Sequence, residues 1–199
     1  FHLNRAETQQ FRKLCTQNQA TVSAGFLAFY MRTLAAVTGQ DAIAVGIPVS
    51  MRGETRSDSF GMYVNMCLTV DAVEAEENIS SVIQRMRTNT LRLLSGEELP
   101  FSIVADAMKW ERTYKKLPFR YTYNYLGGAS LEAEESDIFG KIHYLYDPYI
   151  HDFGLIVEFT RDGYDCTITG KPGYISADKV AAFTQTLESA IRETLQNSI

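Results

Sequence analysis

The chain has 199 residues, 45% of them hydrophobic, and a net charge of −5 from 19 basic and 24 acidic residues. A chain of this length buries roughly 70% of the surface that its unfolded form exposes, so we expect a single domain over 1–199 with a core of its own. No basic cluster stands out, since Lys115–Lys116 is only a pair, and this argues against nucleic-acid binding because phosphate neutralisation needs clustered Lys or Arg. No apolar run approaches the roughly 20 residues of a membrane span.

Three cysteines, Cys15, Cys67 and Cys166, are widely separated and form no CxxC or metal-like spacing with the histidines. An odd and sparse cysteine count is typical of a reducing compartment. We therefore predict three buried or half-buried thiols, no metal site and a cytoplasmic location, and no signal peptide is visible. The chain starts at Phe1 instead of Met, so we expect a piece of a longer protein.

Hydrophobic periodicity predicts five helices that interleave with five or six strands. Asn4 followed three residues later by Glu7 resembles a capping box at the start of the first helix. Pro48 should end the first strand, because proline cannot donate to a ladder. The predicted helices are residues 5–18, 22–38, 76–95, 100–110 and a last helix capped by Ser176, and the predicted strands are residues 42–48, 62–70, 119–126 and two hairpin arms.

The hairpin is predicted by Asp162–Gly163, which stands between two runs of alternating apolar residues. Apolar side chains at every second position give one buried face to each arm, from Phe153 to Phe159 and from Tyr164 to Ile168. The hairpin makes the sheet mixed instead of purely parallel. The sequence thus predicts an α/β or α+β fold of two layers, a mixed β-sheet packed with helices.

Alternation is clearest in the strand before Gly127, where aromatic residues occupy one face and mostly polar residues the other. An aromatic face backed by a polar row is suited to a strand that lines a pocket or tunnel. The aromatic row is Phe119, Tyr121, Tyr123 and Tyr125, and the opposite row is Arg120, Thr122, Asn124 and Leu126.

Three further segments carry polar or small residues in unusual places. In Gly46–Arg52 a cation follows the end of a strand, so Arg52 either pairs with a carboxylate or contacts substrate. In Phe60–Met66 an asparagine interrupts an apolar strand, so Asn65 either bonds to a neighbouring loop or lines a reaction channel. In Glu98–Val104, Pro-Phe marks the start of a helix.

These three segments, followed by Tyr123-Asn124-Tyr125-Leu126-Gly127, resemble in order the later motifs of condensation domains from nonribosomal peptide synthetases. The family patterns are GxPxxxR, (I/V)GxFVN, a PF(E) helix start and FNYLG. The chain departs from them at Ser102, where Glu is frequent. The catalytic HHxxxDG signature of the first half of the family domain does not occur, because His2, His143 and His151 are isolated from one another.

The resemblance implies the C-terminal lobe of a domain with a chloramphenicol-acetyltransferase-like fold, separated from the N-terminal lobe that holds HHxxxDG. A tunnel between the lobes would receive a donor and an acceptor on the phosphopantetheine arms of peptidyl carrier domains, and no cofactor would bind directly. This lobe would contribute no catalytic residue. Its tunnel residues would be Asn65, Asn124 and Tyr125, with Arg52 holding a loop, and because Asn124 and Tyr125 face opposite sides we favour Asn124.

The resemblance also leaves alternatives open. An epimerisation domain is a close relative, a non-catalytic condensation-like module would recruit a partner protein, and a free-standing acyltransferase for alcohols or lipids is a third choice. Residues 52–60 would form the floor of the tunnel, and residues 128–150 would cross to the other lobe. A separated lobe should expose an apolar face through which two copies can dimerise.

Overall fold

The computed structural model describes residues 1–51, 60–61, 63–95, 100–107, 109, 119–127 and 152–197. The described strands are β1 (His2–Leu3), β2 (Ile43–Ser50), β3 (Val64–Asp71), β4 (Tyr121–Gly127), β5 (Phe153–Phe159) and β6 (Tyr164–Gly170). The described helices are α1 (Arg5–Gln17), α2 (Val22–Thr38), α3 (Ile79–Ser95), α4 (Phe101–Ala107) and α5 (Ala177–Asn197).

The six strands form one mixed sheet in the order β1-β6-β5-β4-β2-β3. The central strands β2, β4 and β5 are parallel to one another. The outer pairs β2–β3, β5–β6 and β1–β6 are antiparallel. The mixed sheet that the hairpin predicts is therefore confirmed.

Helices α2 and α5 pack on the same face of this sheet. The Tyr123 hydroxyl on β4 donates to the Ser23 carbonyl of α2 at 2.8 Å, and the Phe153 ring on β5 meets Phe183 of α5 at 4.7 Å. On β3, Asp71 accepts from Arg85 of α3 at 3.0 Å, so α3 lies on that face too. The predicted two-layer arrangement is confirmed.

Helix α2 is the centre of the helical layer and is buried along most of its length, as the sequence predicts. Thr21 accepts from the Ala24 N–H at its start, and Gly39 ends it in the left-handed region with φ 64°. In the described part of the chain no single helix is long and apolar enough to span a membrane. Helices α1 and α2 meet that test only as a pair bent by 93°.

The capping box is confirmed at the start of α1. The Asn4 Oδ1 accepts from the N–H groups of Ala6 and Glu7 at 2.9 and 3.1 Å, and the Asn4 N–H donates to Glu7 Oε2 at 2.9 Å. Ser176 likewise caps α5, because its hydroxyl accepts from the Lys179 N–H at 3.4 Å. Local hydrogen bonding thus determines both helix starts.

The predicted end of the first strand at Pro48 is wrong, because β2 continues to Ser50. Strand β4 pairs with β2 only at Val45 and Gly46. Beyond Gly46 this edge of β2 has no ladder with β4, so a residue without an N–H is accommodated there.

The turn at Asp162–Gly163 is confirmed by the antiparallel pairing of β5 with β6. Gly163 has φ 150°, and a Cβ on it would stand 1.8 Å from the Leu3 carbonyl oxygen. Only glycine fits between the hairpin and strand β1. The sequence pattern did not predict β1, because two residues are too few for a period of two to appear.

We expect Tyr30→Phe to leave the free energy of unfolding unchanged or to raise it. The Tyr30 side chain is fully buried in α2, and its hydroxyl has no hydrogen-bond partner among the described residues. An unsatisfied buried hydroxyl costs about 1–3 kcal/mol. The matched control Tyr123→Phe removes the bond to Ser23 and should lower stability in urea titrations; equal losses for both variants would contradict the assignment.

The three cysteines are free and buried, which confirms the predicted thiols, whereas the compartment stays a prediction. Burial raises the pKa of Cys15 and of Cys166 from 9.0 to about 12. We expect iodoacetamide to alkylate both thiols slowly near neutral pH in the native protein and rapidly in urea, because the thiolate is the reactive form. Stability should fall as the pH rises above 9, because thiols of the unfolded chain ionise first. Equal alkylation rates in both states would contradict this.

Candidate functional site

The face of the sheet opposite helices α2, α3 and α5, which we call the second face, carries the polar row of β4. Thr122 and Asn124 point to it, because Tyr123 between them points to α2. Gly46 on β2 and Gly154 on β5 lie beside Thr122 in register. The centre of the second face is therefore built from small side chains.

The glycine on β5 is required by its neighbours. A Cβ on Gly154 would stand 2.7 Å from the Thr122 Oγ1 and 3.0 Å from the Thr169 Oγ1. The two hydroxyls thus converge over a bare backbone on the second face. Any larger residue at this position would push the hydroxyls apart.

After Thr122, Asn124 is the next residue of β4 that points to the second face, and it is half-buried. Its carboxamide makes no hydrogen bond to any residue of the described part of the chain. A side chain amide has two donors and one acceptor oxygen. Asn124 is therefore the group on this face that can bind a polar group of a ligand through both kinds of atom.

Tyr125 lies on the opposite side, within the helical layer. Its ring is 6.4 Å from that of Tyr164, and the Arg12 guanidinium lies 4.7 Å above the ring of Phe159 and donates to the Tyr164 hydroxyl at 3.1 Å. Burial, followed by the hydrogen bond to Tyr164, raises the pKa of Tyr125. The structure thus places Tyr125 and Asn124 on different faces, as the alternation predicts.

Asn65 is buried on β3 with 8% of its surface exposed. Its Oδ1 accepts from the Phe101 N–H at the start of α4 at 3.0 Å. The first N–H groups of a helix have no partner within the helix, so Asn65 satisfies one of them. The sequence left two roles open for Asn65, and the structure shows the first of them, a hydrogen bond to a neighbouring segment.

Phe119 does not join the tyrosine row, which corrects the sequence interpretation. Strand β4 begins at Tyr121 and Arg120 is a bend, so the alternation does not reach back to Phe119. The Phe119 ring instead lies over Gly46, where a Cβ would be 2.4 Å from the nearest ring carbon. Gly46 faces the same side as Thr122, so the ring belongs to the second face.

Several predicted site residues lie outside the described residues. They are Arg52, the 52–59 part of the floor segment, the crossing segment 128–150, His143 and His151. The remaining histidine, His2, lies on β1 with its Nδ1 2.7 Å from Asp165 Oδ1. Two strands, β6 and β5, lie between β1 and β4 in the sheet, so among the described residues no imidazole lies beside Asn124.

Two clefts of the described part lie elsewhere. One of 780 Å³ lies between the end of α2 and the start of α3, and one of 590 Å³ lies between the end of β6 and α5. Asn65, Asn124 and Tyr125 line neither cleft. In the same described ranges no three His, Cys, Asp or Glu side chains are grouped to hold a metal ion. The candidate site is therefore a strand face outside both clefts, with Thr122 buried and Asn124 half-buried on it.

Comparison with known proteins identifies the class. The sequence profile of the family described as Condensation domain matches residues 1–175, and the chain therefore belongs to the condensation-domain family. It is 25% identical over 138 residues to tyrocidine synthase 3 of Brevibacillus parabrevis, covering 69% of this chain and 2% of that protein. It is 28% identical over 117 residues to surfactin synthase subunit 1 of Bacillus subtilis, covering 58% of this chain and 3% of that protein.

Solved structures confirm the fold. The condensation domain from the monacolin K polyketide synthase superposes with a TM-score of 0.81 at 14% identity, over 99% of this chain and 46% of that one. A four-domain nonribosomal peptide synthetase bound to AMP and glycine superposes with a TM-score of 0.86 at 14% identity, over 98% of this chain and 16% of that one. The chain spans less than half of these structures and 2–3% of the two synthases.

We expect Asn65→Ala to destabilise the fold by about 1–3 kcal/mol, because the Phe101 N–H loses its acceptor while partly buried. Asn124→Ala is the matched control, since it removes the same atoms from a side chain without a bond in the described part. Urea unfolding of both variants measures the difference. A loss for Asn65→Ala no larger than that for Asn124→Ala would contradict the capping role.

Proposed function

We propose that this chain is the C-terminal lobe of a peptide-synthetase condensation domain and forms one wall of the tunnel in which an amide is made. The observation that carries the proposal is the extent of the match: nearly the whole chain superposes on 46% of a condensation-domain structure. A chain that matches half of a two-lobed domain over its own full length corresponds to one lobe. The similarity to synthases that make peptides supports the reaction class.

In the proposed reaction the acceptor amine nitrogen attacks the carbonyl carbon of a donor thioester. The C–N bond forms, the C–S bond breaks, and the thiol leaves with the proton that the amine loses. A positioned base contributes about 10²–10⁴-fold, whereas holding two reactants in place contributes about 7–11 kcal/mol. Positioning is the larger effect, and it is the task that we assign to this lobe.

Asn124 is the proposed contact to substrate. It lies on the second face, is half-buried, and has no hydrogen bond within the described part. The amide and thioester groups of a carrier-bound substrate offer donors and acceptors that match a carboxamide. Tyr125 supports this strand from the helical layer, and Asn65 acts on it from a distance through α4.

The proposed partners are the N-terminal lobe of the same domain and two peptidyl carrier domains, which present substrates on phosphopantetheine. Residues 52–60 are proposed to form the floor of the tunnel, with Arg52 holding a loop, and residues 128–150 are proposed to cross to the other lobe. Two exposed valines of β3, Val64 and Val70 with 52% and 58% of their surface exposed, supply apolar surface for the other lobe or for a second copy.

A second function of another class is favoured by a specific observation. The X-domain from teicoplanin biosynthesis superposes with a TM-score of 0.81, equal to that of the monacolin K condensation domain. An epimerisation domain gives 0.71. The fold of this lobe therefore does not distinguish condensation from the two alternatives that the sequence left open, a non-catalytic recruitment module and an epimerisation lobe. About 180 residues of preceding sequence decide between them, because an intact HHxxxDG supports condensation.

We expect Asn124→Ala to lower condensation by the two-lobe domain about 5–160-fold, the equivalent of one lost hydrogen bond of about 1–3 kcal/mol. The measurement is single-turnover product formation from donor and acceptor carrier thioesters. Thr167→Ala is the matched control, because Thr167 on β6 is exposed and points to the second face, as Asn124 on β4 does. This chain alone should show no turnover.

Three results would contradict the proposal. Condensation by this chain alone would mean that the reaction needs no second lobe. Full activity of Asn124→Ala in the two-lobe domain would remove Asn124 from the tunnel. An equal loss for Thr167→Ala would mean that the effect comes from the stability of the sheet and not from substrate contact.

A further inference from the structure

The segments singled out in the sequence meet in one continuous set of contacts. Asn65 of β3 accepts from the Phe101 N–H at 3.0 Å. The Phe101 ring meets the Phe119 ring edge-on, with centroids 5.9 Å apart. The Phe119 ring then covers Gly46 of β2. These contacts therefore connect four residues that are up to 73 positions apart in the chain.

The last member of this set lies beside the candidate site. Gly46 is the cross-strand neighbour of Thr122, and Asn124 follows Thr122 on the same face. The Phe119 side chain is 4% exposed, so its ring fills the space over Gly46. The ring thus bounds the second face on the β2 side of the polar row.

Glycine at position 46 makes this arrangement possible. The ring carbons of Phe119 would stand 2.4, 2.7 and 2.8 Å from a Cβ there, closer than any packed carbon pair. A methyl group at position 46 would displace the ring. The position of the ring is therefore determined by the absence of a side chain on β2 and by the helix start that Asn65 holds.

We propose that Phe119 determines the size of the acyl group admitted beside Thr122 and Asn124, and that Asn65, acting through Phe101, is a positioning residue for this ring. This inference rests on the proposed function and specifies which acyl donors the site accepts. A buried ring at the edge of the site discriminates by size, because a single methylene in a hydrophobic pocket already changes selectivity about 10–200-fold. The ligand class is a carrier-bound acyl thioester with a side chain of variable bulk.

The test uses the intact two-lobe domain with alanyl and phenylalanyl donor thioesters and a glycyl acceptor. We expect Phe119→Ala to raise the ratio of kcat/KM for phenylalanyl over alanyl donors at least tenfold. Asn65→Ala should shift the ratio the same way by a smaller factor. Phe183→Ala is the matched control: this ring is also 4% exposed but lies in the helical layer, so the variant should lose thermal stability and keep the ratio.

A second measurement tests the packing without relying on catalysis. Gly46→Ala should lower Tm, and adding Phe119→Ala to it should raise Tm again, because the clash disappears with the ring. Failure of this rescue would overturn the contact between the two residues. An unchanged donor ratio in an active Phe119→Ala domain would overturn the size-determining role alone, whereas a wild-type domain without turnover would overturn the proposed function and this inference together.

Discussion

The packing of α2 against the tyrosine row of β4 is the constraint on which the rest of the structure depends. Tyr123 is 1% exposed and bonds to the Ser23 carbonyl, so β4 cannot slip by one residue without burying its polar row and exposing an aromatic core face. The same contact assigns Thr122 and Asn124 to the second face. The contact that packs the core therefore also determines the orientation of the candidate site.

This arrangement allows the two faces to differ in chemistry. The helical layer is dense and aromatic, and burial raises the pKa values of Tyr30 and Tyr123 well above their usual range. The second face instead has Gly46 and Gly154 beside Thr122, and all three residues are buried. The small residues let the Phe119 ring and the Thr122 and Thr169 hydroxyls pack directly on the backbone, whereas Asn124 stays half-buried.

Much of the fold was predictable because local signals and periodicity agree. The capping residue Asn4, the Asp162–Gly163 turn and the two-layer mixed sheet follow from neighbouring residues alone. The strand end at Pro48 and the orientation of Phe119 were not predictable. Both depend on where β4 begins to pair with β2, which is a long-range property. For the site, alternation separated Asn124 from Tyr125, but no local signal connects Asn65 to Phe119 through Phe101.

The lobe also explains why one fold serves domains of different function. Structures of condensation, epimerisation and X-domains all superpose on this chain, at identities of 14%, 11% and 10%. The superposition extends over 98–99% of this chain, so the fold by itself does not distinguish these domains. Because the α2–β4 packing determines which side chains of β4 reach the second face, the fold can stay constant while those side chains change.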